Sequence, residues 1–231
     1  MTPTDAATEK IDLYWIPLGS GGSGFVRLNG RIYETIKASL ERRKPLALYH
    51  TALQVHVREG RFVVETMWPS PDSDTPSRGV VLESAVGSRL LARSRTFRYE
   101  VRRWRNGVLP DADDAVGGPQ NVSEDPEQAR QVLEAASSVP NLIWGRDQLR
   151  TGEMWNSNSV ISWLLARSGL DMETIHPPAG GRAPGWYAGI SIANGGAQAT
   201  ETASVATAVE AGSSVDADSV SHPRCDSLQG P

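Results

Sequence analysis

The stretch GEMWNSNSVISWLLARSGLD, residues 152–171, has an unusually polar start before an apolar run. Two Asn-Ser pairs at residues 156–159 directly precede apolar residues that are spaced as one buried face of a helix. Asn and Ser are favoured N-caps, and Gly169 suits the C-terminal end, so the stretch predicts a capped helix. One capping residue is sufficient. Four of them raise the question whether one side chain at the helix start serves chemistry instead.

Ser157 is the candidate nucleophile in this stretch. Free backbone N–H groups and the positive end of the helix dipole favour negative charge at a helix start, and they can hold an oxyanion. A serine also needs a base, and His50, in the predicted strand LALYHTALQVHV (46–57), is the histidine best placed to be held rigidly. Two plainer readings stay open: Ser157 or Asn156 only caps the helix, and His50 is an ordinary strand residue.

The rest of the chain predicts an α+β fold with an antiparallel sheet. Strands are expected at 11–18, 46–57, 61–68 and around 97–102, and YAGISIA at 187–193 is expected to be a last strand. Helices are expected at 30–43, after the glycine-rich loop 19–24, and from an Asp125 cap onward. The arginines between residues 89 and 105 are expected on a solvated strand face rather than on a nucleic-acid surface.

Two segments together resemble a known group of families. LYHTALQV (48–55), followed by the hairpin EGRFVVETMWPSP (59–71), is similar to the opening of the circularly permuted papain-like families. These include PPPDE-type peptidases and the lecithin:retinol acyltransferase group, within the NlpC/P60 superfamily. In these families a strand with the base histidine comes first, and a helix that begins with Asn-Cys follows; NSNSV (156–160) stands in that place here.

The resemblance implies a permuted papain-like domain with defined roles for three residues. It places His50 at the general base, Ser157 at the nucleophilic cysteine and Asn156 at the motif's asparagine. The chain departs from the motif because serine replaces the cysteine and Ser159 replaces a histidine. A serine hydroxyl is far less acidic than a thiol, so it depends on the base and on a third group that orients the imidazole.

Glu65 is the candidate for that third group, and the predicted hairpin places it too far away. With a turn at Glu59-Gly60, Glu65 would pair with Gln54, four residues and about 13 Å along the strand from His50. Glu65 is therefore expected in the binding site rather than in contact with the base. Trp144 is expected to form a wall of the same groove, with an ordinary core tryptophan as the alternative.

Two functional hypotheses follow. In the first, the domain is a hydrolase or acyltransferase that acts on an amide, ester or thioester through Ser157 and His50. Helix-start amides, with Asn156 or Asn158, would form the oxyanion hole. In the second, catalysis was lost with the cysteine, and the groove binds a peptide or lipid-like partner. Under either hypothesis the groove contacts a peptide, a protein or an acylated small molecule, and Asn156, Asn158, Ser159, Glu65 and Trp144 are its candidate binding residues.

Composition sets the limits of the domain. A flexible N-terminus is expected over 1–10, a single domain over 11–195 and a disordered acidic tail over 196–231. From residue 198 the tail carries five acidic residues and one basic residue. Its net charge of -4 equals the formal net charge of the whole chain. The only cysteine, Cys225, lies in the tail, and no metal or cofactor is expected. Residues 1–10 lack signal-peptide features and no apolar run is long enough to span a membrane, so a cytoplasmic protein is expected.

Overall fold

The computed structural model describes residues 8–19, 42, 44–69 and 79–195. The chain divides into two units, Met1–Asn194 and Gly195–Pro231, and the description below concerns the first. Outside the described residues lie the predicted helix at 30–43 except for residue 42, most of the glycine-rich loop at 19–24, and the tail at 196–231. Within the described ranges, no helix has the length and apolar character needed to cross a bilayer.

The core of the fold is a seven-stranded sheet. The strands are β1 (Lys10–Pro17), β2 (Ala47–Val57), β3 (Gly60–Met67), β4 (Val80–Ala85), β5 (Arg98–Arg105), β6 (Gln120–Ser123) and β7 (Gly181–Arg182). Their order is β4-β5-β3-β2-β1-β6, and every neighbouring pair on this path is antiparallel. The short β7 adds to β2 in parallel. The predicted α+β class with an antiparallel sheet is confirmed.

Three helices in the described part of the chain accompany the sheet. They are α1 (Pro126–Ala135), α2 (Ser157–Arg167) and α3 over residues 186–195. Helix α1 begins as predicted, because Asp125 accepts a hydrogen bond from the Glu127 N–H and Pro126 occupies the first turn. Single-turn 3₁₀ segments occur at Leu91–Arg93, Arg95–Phe97, Ala112–Asp114 and Ala136–Ser138.

The two faces of the sheet are covered differently. The helix face carries Trp15, Leu53, Val64 and Val101, which pack in one cluster with residues of α1 and α2. The loop face carries Tyr14, Ile16 and Ala52, which pack against Leu109 in the segment that follows β5. Because strand side chains alternate, each residue of β2 belongs to one face and its neighbours belong to the other.

The last predicted strand is instead helix α3. Gly185, with φ of +87°, precedes the helix, and Trp186, Gly189, Ile190 and Ala193 recur at helical spacing toward the interior. A Cβ on Gly189 would lie 2.1 Å from the Ser159 carbonyl oxygen, so this glycine lets α3 pack directly on the backbone of α2. Alternating small and apolar residues favoured a strand, but close helix packing at a glycine decides the structure.

The prediction of a solvated arginine face on β5 is also wrong in part. Arg102 and Glu100 are both buried on the loop face, where the Arg102 Nη2 lies 2.6 Å from the Glu100 Oε2. Arg103, on the helix face, donates to the Leu133 carbonyl of α1. Segments that are distant in sequence cover both faces of this strand, so its polar residues are paired inside the fold.

Candidate functional site

The four polar residues at the start of α2 have separate structural roles. Asn156 is the N-cap, and its Oδ1 accepts hydrogen bonds from the N–H groups of Asn158 at 2.9 Å and Ser159 at 3.3 Å. Ser159 completes a capping box, because its Oγ accepts from the Asn156 N–H at 3.1 Å. The Ser159 hydroxyl also donates to the Gly185 carbonyl at 2.8 Å. Two residues therefore cap the helix, and both are also held to the turn before α3.

Asn158 connects α2 to the sheet. Its Nδ2 donates to the Tyr49 carbonyl at 3.0 Å and to the Pro184 carbonyl at 2.9 Å. Its Oδ1 accepts from the Thr51 hydroxyl at 3.0 Å. These bonds join the helix start to β2 at the two residues on either side of His50. The sequence pattern did not single out Thr51, Pro184 or Gly185, because their importance depends on contacts between distant segments.

Ser157 is the one polar residue of the four that has no capping or anchoring role. It is the first residue of α2 and is 7% exposed. Neither its hydroxyl nor its backbone N–H forms a hydrogen bond with any residue that the structure describes. Its Oγ is not among the buried side-chain oxygens that lack a partner, so the hydroxyl keeps access to solvent although most of the residue is buried. A free hydroxyl and a free amide on the same residue are the pair that an acyl-transfer nucleophile uses.

The helix start lies where the sheet opens. Strand β2 pairs with β1 from Tyr49 to His56, but its ladder with β3 covers only Leu53–Val57 of the described residues. The Leu18 N–H donates to the Leu48 carbonyl, so in an antiparallel ladder the next carbonyl, that of Tyr49, points away from β1 and into the opening. The Asn158 Nδ2 donates a hydrogen bond to that carbonyl. The start of α2 therefore fills a gap between β2 and β3.

His50 lies beside this gap on the loop face of β2. It is paired with Ile16 of β1, whereas Thr51 faces α2, so the His50 side chain leaves the strand on the side opposite to Thr51. The His50 side chain forms no hydrogen bond or ion pair with any described residue, Ser157 included. Burial lowers the pKa of His50 from 6.5 to about 4, because the charged imidazolium is poorly solvated there.

Glu65 lies on the loop face as well, but in a register that differs from the predicted one. The turn is Arg58-Glu59, and Gly60, with φ of +132°, already pairs with Val57, so Gln54 faces Val63 rather than Glu65. Glu65 therefore lies two residues closer to the level of His50 than the predicted hairpin implied. It faces Arg102 of β5 and is buried, and burial raises its pKa to about 7 while Arg102 opposes the shift.

Trp144 lies next to the segment that leads into α2. Its ring centroid is 5.3 Å from that of Tyr99 and 6.1 Å from that of the exposed Trp68. The next residue, Gly145, donates its N–H to the Trp155 carbonyl, and Trp155 directly precedes the N-cap. Trp144 therefore lies near the segment that leads into α2 and packs on a buried tyrosine, and its role as a groove wall stays a prediction.

Replacing Ser157 with alanine tests whether this hydroxyl supports the fold. We expect Ser157→Ala to change the free energy of unfolding by less than about 0.5 kcal/mol, because no hydrogen bond to a described residue is lost. The matched change Ser159→Ala is expected to cost about 1–2 kcal/mol, since it removes the capping-box acceptor and the bond to Gly185. Urea unfolding followed by circular dichroism measures both. Equal costs would mean that Ser157 is a structural residue like its neighbours.

The chain matches no protein-family model and no curated protein. No solved structure matches the chain either.

The described part of the chain contains no group of three or more His, Cys, Asp or Glu side chains that could hold a metal.

Proposed function

We propose that this domain carries out acyl transfer or hydrolysis through a covalent intermediate on Ser157, with His50 as the general base. One observation carries the proposal: of the four polar residues at this helix start, Ser157 alone has neither its hydroxyl nor its amide in a hydrogen bond with a described residue. The resemblance to permuted papain-like families supports the same two residues. In such a fold a strand that carries the histidine precedes a helix that carries the nucleophile, and His50 and Ser157 have this order. The permuted papain-like fold is therefore part of the proposal.

The proposal requires the Ser157 and His50 side chains to meet. Asn158 ties the helix start to the β2 backbone on both sides of His50, so Ser157 and His50 belong to neighbouring backbone segments. The sheet is open between β2 and β3 at this level, so strand backbone does not separate the helix face from the loop face there. The proposal requires the His50 side chain to rotate from the loop face toward this gap in order to reach Ser157.

The chemistry follows from the protonation state of the base. With its pKa lowered to about 4, the His50 imidazole is neutral at pH 7 and is able to accept the hydroxyl proton when Ser157 attacks an acyl carbon. The acyl oxygen then becomes an oxyanion, and the Ser157 N–H is the free donor that stabilises it. The same burial disfavours the imidazolium formed in this step. We therefore expect a slow enzyme, whose substrates are activated esters or thioesters rather than amides.

A binding function is the second candidate, and a specific observation favours it. Among the described residues no carboxylate is hydrogen-bonded to His50, and the amides of Asn158 and Ser159 are already occupied by the Asn156 side chain. A serine nucleophile normally depends on an oriented base and on more than one oxyanion donor. In this alternative, the surface beside Ser157 at the start of α2 holds an extended peptide or an acyl group without cleaving it.

Labelling by a fluorophosphonate probe distinguishes the two candidates. We expect the wild-type protein to be labelled at pH 7, Ser157→Ala to be unlabelled, and His50→Ala to be labelled about 100-fold more slowly or less. His56→Ala is the matched control, because His56 lies on the same face of the same strand but beside Asp12, and its labelling should be unchanged. A folded wild-type protein that is never labelled would support binding, and labelling that persists in Ser157→Ala would exclude this nucleophile.

A further inference from the structure

The segment between β4 and β5 combines positive charge with exposed apolar side chains. Residues 87–98 read GSRLLARSRTFR and contain four arginines and no acidic residue. Leu90 is 75% exposed, Leu91 48% and Phe97 41%. Neither 3₁₀ turn of the segment, Leu91–Arg93 or Arg95–Phe97, contains a buried residue. Three large apolar side chains thus project from a basic segment into solvent.

This exposure belongs to an ordered segment. The Ser94 N–H donates to the Leu91 carbonyl at 2.9 Å, and the Phe97 N–H donates to the Ser94 carbonyl at 3.0 Å. The segment is closed at its base by the Val86 N–H, which donates to the Phe97 carbonyl at 2.8 Å. Arg98 adds an ion pair with Glu83 and a bond to the Ala92 carbonyl. The fold therefore holds these leucines in an exposed position.

Trp68 extends the exposed apolar surface. It is 50% exposed and packs on Trp144, whose carbonyl accepts from the Gly87 N–H at 2.9 Å. We call the resulting surface the basic apolar patch; it consists of Trp68, Arg89, Leu90, Leu91, Arg93 and Phe97. The exposed apolar residues Val80 and Val108 lie at the other end of the sheet, near the ends of β4 and β5 that are far from this patch.

We propose that the basic apolar patch docks this protein on an anionic lipid surface. Arginines attract acidic headgroups, leucine and phenylalanine enter the acyl boundary, and tryptophan is favoured at the headgroup level. The absence of acidic residues from segment 87–98 gives the patch the charge that such a surface requires. An acidic peptide would favour a groove or an open strand edge, whereas these side chains stand on two short turns that project from the sheet.

The inference is independent of catalysis at Ser157. Arg146, two residues after Trp144, donates from its Nε to the Gly87 carbonyl, and Gly145 pairs with Trp155 at the entrance to α2. The patch and the candidate nucleophile therefore lie at the same end of the domain. Docking would place that end against the membrane whether Ser157 reacts or only binds, and Ser157→Ala should dock like the wild type.

Sedimentation with lipid vesicles tests the proposal on the full chain. We expect the wild-type protein to pellet with vesicles of mixed phosphatidylcholine and phosphatidylserine, and to stay in solution with phosphatidylcholine alone. Leu90→Ser with Leu91→Ser should weaken binding about 10-fold or more, because two apolar anchors are lost. Arg89→Ala with Arg93→Ala should weaken it about 30-fold, at about 1 kcal/mol for each basic residue near the surface.

A control at the far end of the sheet separates docking from general effects of charge and hydrophobicity. The double change Arg105→Ala with Val108→Ser removes one exposed arginine and one exposed apolar residue there, and we expect vesicle binding to stay unchanged. The proposal is overturned if the wild type fails to pellet with the acidic vesicles, or if the leucine variant pellets as well as the wild type. It is also overturned if the patch binds polyglutamate or RNA but no vesicle.

Discussion

Replacing Asn158 with alanine is expected to lower the free energy of unfolding by about 3–5 kcal/mol, a large part of the stability of a domain of this size. The side chain is 3% exposed and forms hydrogen bonds with Thr51, Tyr49 and Pro184. Alanine would leave the Thr51 hydroxyl and the Tyr49 carbonyl buried without these bonds. Each buried polar group that loses its partner costs about 1–3 kcal/mol.

The effect of Asn158→Ala should extend beyond stability. Asn158 is the link that holds the start of α2 in the gap between β2 and β3, so its loss frees Ser157 to move away from the strand that carries His50. We expect any fluorophosphonate labelling to disappear in Asn158→Ala even under conditions where the variant is still folded. Urea unfolding measures the stability, and labelling at low urea measures the site.

Two further variants sharpen this expectation. Asn158→Asp keeps the shape and the acceptor but replaces the donor to the Tyr49 and Pro184 carbonyls with a buried charge, so it should cost at least as much as alanine. Asn121→Ala is the matched control, because Asn121 is exposed on β6 and has one long hydrogen bond to Glu124. A loss below about 1 kcal/mol in Asn158→Ala would mean that water replaces the side chain and that the anchor is weak.

The elements that were predicted correctly from sequence are those governed by local interactions. Asp125 and Pro126 start α1, and Asn156 starts α2, through hydrogen bonds that span two or three residues. Strands β1, β2 and β3 follow from alternation and β-branched content. In each case the residues that determine the element lie within it or directly beside it, so the sequence pattern is sufficient.

The features that were missed depend on contacts between distant segments. Helix α3 forms because Gly189 fits against α2, and the Arg102–Glu100 pair is buried because other segments cover both faces of β5. The periodicity of one segment indicates neither which glycine packs against another helix nor which ion pair other segments will bury. The hairpin register shows the same limit on a smaller scale, because the positive φ of Gly60 places the turn at Arg58-Glu59.

In the candidate site, too, local features were predicted from the sequence and contacts between distant segments were not. The polar residues 156–159 were recognised in the sequence, yet only the structure distinguishes their roles, because Asn156, Asn158 and Ser159 bind partners that are up to 109 positions away. Thr51 was missed since a threonine in a strand carries no signal of its own. Ser157 is defined by the absence of such bonds among the described residues, which no sequence pattern reveals.

Gly189→Ala is expected to be the second severe change, with a loss of about 3 kcal/mol or more in the free energy of unfolding. A Cβ at this position would lie 2.1 Å from the Ser159 carbonyl oxygen, 2.1 Å from the Ser162 Oγ and 2.8 Å from the Trp163 backbone nitrogen. Two of these atoms belong to the backbone of α2, so a rotamer change cannot relieve the overlap, and α3 has to move away from α2.

Moving α3 away from α2 would also disturb the contacts at the start of α2. The effect of the clash is therefore specific to this site and differs from a general loss of stability. Ser159 donates to the Gly185 carbonyl, and Ser162 donates to the Trp186 carbonyl, so displacing α3 pulls on both bonds and on the Pro184 carbonyl that Asn158 holds. Gly195→Ala is the matched control, because no atom of a described residue lies within 4 Å of its added Cβ, and it should be neutral or stabilise the chain by up to about 1 kcal/mol. Urea unfolding of the two alanine variants measures the difference. If Gly189→Ala unfolds like Gly195→Ala, α3 does not pack on α2 through this glycine, and the turn at Pro184 and Gly185 cannot be what holds the helix start beside β2.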